Sequence, residues 1–73
     1  MKNNEIRAVQ RMKLSSFLKR HKCPIALLMF DDKGKLCVKE YKKNEYEMIP
    51  SELLDKVVME NNYEDEVLEI WIR

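Results

Sequence analysis

At 73 residues the chain holds one domain and leaves no room for a second core. It is 45% hydrophobic and 37% charged with a net charge of +1, a globular profile, and it has no run of about 18 apolar residues that would form a membrane span. A single glycine excludes GxGxxG and Walker loops, so no cofactor is expected, and an N-terminus without an apolar centre points to a cytoplasmic protein.

Residues 4 to about 21 read as a helix. Asn3 or Asn4 caps its start, Glu5 lies in the first turn, and Lys19, Arg20 and Lys22 crowd the last turn, where the macrodipole favours cations. Ile6, Val9, Leu14 and Phe17 share one arc, although Lys13 falls inside it, and a bend or restart near Ser15-Ser16 would accommodate that interruption. Pro24 ends the helix by removing a donor and pushing Cys23 into extended geometry.

Cys23 to Tyr41 reads as a β-hairpin. Asp31-Asp32-Lys33-Gly34 suits a type I turn with Gly34 in the left-handed position of a G1 bulge, which pairs Asp31 with Lys35. Counting outward, Phe30 faces Leu36, Leu28 faces Val38 and Ala26 faces Glu40 on one side of the ribbon. Met29 faces Cys37, Leu27 faces Lys39 and Ile25 faces Tyr41 on the other. Both sides are apolar, the second apart from Lys39, and both call for cover. In this register Cys23 and Cys37 sit roughly 20 Å apart at about 3.3 Å per residue, too far for a disulfide, so free thiols are expected.

Beyond the hairpin, Tyr46-Glu47-Met48 is read as a short third strand. Pro50 suits the first turn of a second helix, with Leu53, Leu54, Val57 and Val58 as its apolar stripe and Asn61-Asn62 as its stop. Val67 to Ile72 alternates as a last strand, with Leu68, Ile70 and Ile72 on one face and Val67, Glu69 and Trp71 on the other, and is expected to join the hairpin. The whole is a single α+β domain over residues 1–73: an N-terminal helix, an antiparallel hairpin with a short third strand, a second helix and a C-terminal strand in a mostly antiparallel sheet. Helices on opposite faces would satisfy the sheet within one chain. Two short helices on the Phe30/Leu28/Val38 face would leave Ile25, Leu27, Met29, Tyr41, Val67 and Trp71 as an apolar interface, and this second arrangement is the one expected.

Charge is strongly polarised. Residues 1–22 carry seven basic groups and one acid, whereas residues 44–73 carry nine acids and two bases. The first reading is neutralisation within the chain or between copies; the alternatives are a nucleic-acid contact through Arg7, Arg11, Lys19, Arg20 and Lys22, and an acidic protein partner. His21 and Cys23 are too weakly supported to form a catalytic pair, since no acid is placed to orient the imidazole. The expectation is therefore a non-enzymatic interaction module, homodimeric or bound to another protein, with no membrane, metal or cofactor.

Overall fold

The computed structural model describes residues 12–73. It comprises α1 (Leu14–Leu18), β1 (Ile25–Phe30), β2 (Leu36–Tyr41), a 3-10 helix (Lys43–Met48), α2 (Ser51–Leu54), β3 (Val58–Glu64) and β4 (Val67–Ile72). The four strands form one mixed sheet in the order β2-β1-β4-β3, so the α+β class stands. β1 pairs antiparallel with β2 and parallel with β4, and β4 pairs antiparallel with β3.

The hairpin has the register its turn dictates. Phe30 pairs with Leu36, Leu28 with Val38, Met29 with Cys37 and Ile25 with Tyr41. Gly34 sits at φ +80°, and its N–H donates to the Asp31 carbonyl at 2.9 Å. Asp31 Oδ1 accepts from the Lys33 and Lys35 amides, each at 2.8 Å, so one exposed carboxylate satisfies two turn donors.

Three sequence expectations change. The expected helix over 4–21 is not continuous: residues 4–11 lie outside the described residues, and Lys13 is extended at φ −70°, ψ 154°. Its neighbours pair with the sheet, because Val58 N–H donates to the Met12 carbonyl and Leu14 N–H to the Lys56 carbonyl, which leaves helix to begin only at Leu14. Leu14, Phe17 and Leu18 then bury one face at i, i+3, i+4 spacing.

Tyr46-Glu47-Met48 belongs to the 3-10 helix rather than to a strand. Its start is closed by Lys42 N–H donating to Glu45 Oε1 at 2.8 Å. The second helix stops at Leu54, Val57 forms a bridge to Lys13 and Val58 opens β3, with Asn61 and Asn62 inside the strand rather than at a helix end. The reason is pairing: Val57 exchanges both backbone bonds with Arg73, a partner that two β-branched residues fit better than a helix interior.

Among the described residues, the turn between β3 and β4 is the tightest. Glu64 pairs with Val67, leaving Asp65 at φ 54° and Glu66 at φ 67° as a two-residue loop of the type I′ kind. A side chain in the left-handed region costs roughly 1–2 kcal/mol. Glu66→Gly is accordingly expected to stabilise the fold by about 1 kcal/mol and to raise the melting temperature by roughly 4–8 °C in a thermal unfolding scan. An unchanged or lower melting temperature would show that the turn is not strained.

The core lies on one side of the sheet only. Leu14, Phe17 and Leu18 of α1, with Ile49 and Leu53, cover Ile25, Leu27, Val58, Leu68, Ile70 and Ile72. This reverses the expected placement, in which the helices cover Phe30, Leu28 and Val38. The parallel pairing decides it: Ile25 aligns with Leu68 and Leu27 with Ile70, which joins the fully apolar face of β4 to the odd-numbered face of β1. The opposite face of β4 carries Glu69, which a helix layer would have had to desolvate.

Candidate functional site

The face left open by the helical layer is the candidate site. Across the four strands one row runs Val38, Leu28, Trp71, Glu60, and the next runs Glu40, Ala26, Glu69, Asn62. Phe30 and Leu36 form the row nearest the hairpin turn, and Val67 and Glu64 close the far end. The apolar side chains thus cluster at the turn end, with glutamates beside them and beyond.

No described residue covers the cluster. Phe30 is 62% exposed, Val38 50% and Leu36 47%, with Leu28 and Trp71 half-buried beside them. The Phe30 and Trp71 rings stack with centroids 5.7 Å apart and planes 27° apart, fixing both aromatics on this face. At its β3 end the cluster opens into a cleft of about 570 Å³ between Phe30, Trp71, Met59 and Glu60, with Lys56 and Arg73 at the rim.

The interface residues expected from the sequence divide between the two sides of the sheet. Ile25 and Leu27, 1% and 0% exposed, belong to the core, and Met29 and Tyr41 pack half-buried against it. Val67 and Trp71 lie on the opposite, open face. The six therefore form no single surface; Trp71 joins Phe30, Leu28, Leu36 and Val38 instead. Strand alternation grouped these side chains correctly within each strand, and what sequence reasoning missed is the direction of the β1–β4 pairing.

No family model, curated protein or solved structure matches the chain.

Of the cations considered for a nucleic-acid contact, Lys19, Arg20 and Lys22 are exposed at and beyond the end of α1, on the side away from the open face. Arg7 and Arg11 lie outside the described residues. His21 is held structurally: Nδ1–H donates to the Phe17 carbonyl at 3.0 Å, and its ring stacks on Phe17 at 4.2 Å. Cys23 and Cys37 are free thiols, both half-buried. The Cys23 backbone is tied to Tyr46, whose hydroxyl accepts from the Cys23 N–H at 3.2 Å and donates to the Cys23 carbonyl, with the His21 carbonyl also 3.2 Å away. Burial disfavours the phenolate and raises the Tyr46 pKa above the ordinary 10.0; the Cys23 amide opposes that shift and the charge of Cys23 adds to it.

Among the described residues no helix is long and apolar enough to cross a membrane, and no group of three or more His, Cys, Asp or Glu side chains is gathered as a metal site would require.

Proposed function

We propose that this protein is a non-enzymatic interaction module that self-associates through the open face of its sheet. The supporting observation is the juxtaposition of Phe30, Leu36 and Val38, each about half exposed or more, around Trp71 on a face that bears no described cover. Single exposed apolar residues are ordinary; a contiguous group including two stacked aromatics is the composition of an interface centre.

A second copy fits the layout. A two-fold axis in the plane of the face, between the two apolar rows, lays Phe30 and Leu36 of one copy on Leu28 and Trp71 of the other. The same operation carries the Glu40/Glu69 row past the partner's apolar end toward its hairpin turn, where Lys33 stands beside Asp32. Four strands about 4.8 Å apart and six residues long give a face of roughly 20 by 20 Å, below the roughly 800 Å² per partner of a standard interface, and a micromolar association is expected.

Sedimentation at increasing concentration tests this. The protein is expected to pass from monomer to dimer across the micromolar range, while Val38→Glu, at a position outside the core, stays monomeric with an unchanged melting temperature. A chain that remains monomeric to millimolar concentration overturns the proposal. So does salt-sensitive affinity for random duplex at about 50 mM salt without self-association, which would favour the cations at Lys19, Arg20 and Lys22.

A further inference from the structure

We propose that the cleft at the β3 end of the open face binds a small aromatic carboxylate. The proposal goes beyond self-association and does not rest on it. A bulge in β3 shapes the site. Val58 pairs with Ile72 and Glu60 with Trp71, two consecutive residues of β4, so Met59 is an extra residue without a partner of its own. Bulges of this kind re-aim side chains, and here Met59 and Glu60 both line the cleft together with Phe30 and Trp71. Its volume of about 570 Å³ falls within the range of small-molecule sites.

The lining selects its ligand in two respects. Its apolar part is aromatic and thioether in character: the stacked Phe30 and Trp71 rings, with Met29 half-buried and Met59 38% exposed. Such a surface favours a flat π-system over an aliphatic chain, because rings add stacking and sulfur contacts to the area they bury. Its charge is net positive, with Lys56 and Arg73 against Glu60. Among the described residues the one ion pair joins Lys13 to Asp55, so none of these three charges meets a described opposite charge and all are open to a ligand. Both cations stand on a fixed backbone. Leu14 N–H donates to the Lys56 carbonyl at 2.8 Å, and Arg73 exchanges bonds with Val57 at 3.0 and 3.1 Å. Glu60, paired with Trp71, repels a carboxylate from the aromatic end of the cleft and turns it toward Lys56 and Arg73.

Trp71, the only tryptophan, gives a single indole N–H resonance that reports directly on the site. Its shift is to be followed by NMR while the protein is titrated with 2-naphthoate, with the neutral 2-naphthalenemethanol and with the cationic 2-naphthylmethylammonium. The acid is expected to bind about tenfold more tightly than the alcohol, and the ammonium more weakly than either. Lys56→Gln should bring the acid close to the alcohol while leaving the alcohol's affinity unchanged, a control that a misfolded variant would fail. Glu60→Gln should tighten the acid by about threefold. Equal affinity for acid and alcohol in the unmodified protein, a measurement that depends on no variant, would show an apolar surface without a charge preference and overturn the proposal. Tighter binding of the ammonium overturns it too, as does a Trp71 resonance that stays still to millimolar acid. A protein that binds the acid with these preferences and never dimerises supports the cleft and removes only the self-association reading. One that dimerises without any response to the acid keeps that reading and overturns the cleft.

Discussion

Leu27→Ala is expected to lower stability by about 3 kcal/mol, whereas Val38→Ala, one strand away, changes it by no more than about 0.5 kcal/mol. Leu27 is fully buried between α1 and the sheet, and its replacement leaves a cavity that a core formed on only one side of a single sheet cannot readily close. Val38 stands on the open face at half exposure and gives up little protein contact when shortened. For a chain this size, total stability is roughly 4–11 kcal/mol, so the first change removes a large share of it and lowers the melting temperature by roughly 12–24 °C. Thermal unfolding followed by circular dichroism, at concentrations where the chain is monomeric, checks both values. A larger loss for Val38→Ala than for Leu27→Ala would mean that the helical layer lies on the other side of the sheet.

Tyr46→Phe is expected to cost about 2 kcal/mol, because the Cys23 N–H and carbonyl lose a partner that water reaches poorly. These bonds hold residues 21–23 where the chain leaves α1 and enters β1, so the loss falls on the docking of the helix. The variant also carries a pH signature. The folded-state pKa of Tyr46 lies above its ordinary value of 10.0, so the fold favours the neutral phenol. That contribution is complete below pH 10 and is lost as pH rises through the folded value. The stability difference between the two proteins is thus expected to be constant from pH 7 to pH 9 and to shrink above about pH 10. A difference that widens with alkalinity would contradict the assignment.

The hairpin was legible because its register rests on local chemistry. Gly34 is the only residue in the chain without a side-chain penalty at positive φ, and Asp31 caps the same turn, so every pair from Phe30–Leu36 to Ile25–Tyr41 follows by counting. The alternation of β4 was equally plain. What was not legible depends on partners distant in sequence. Val57-Val58 matched a helical stripe begun at Leu53, and only the bonds to Arg73 and Met12 draw them into strand geometry. The Asp65-Glu66 turn lacks the glycine or asparagine that signals a two-residue hairpin loop, so β3 stayed hidden. The site followed the same division: side chains sharing a face within one strand could be read, while the face that receives the helices hung on whether β4 runs parallel or antiparallel to β1.

β4, which follows the other three described strands in the chain, occupies the middle of the sheet, wedged between β1 and β3. Ile25 must wait for Leu68 before its outer edge is satisfied, a contact spanning most of the chain and slow to form. Until residues 67–72 emerge from the ribosome, the finished hairpin has no central neighbour and shows both greasy sides to the cell. Newborn chains are therefore most exposed to aggregation in the interval between completing that hairpin and inserting β4, and any truncation within β4 removes the middle of the sheet rather than a margin.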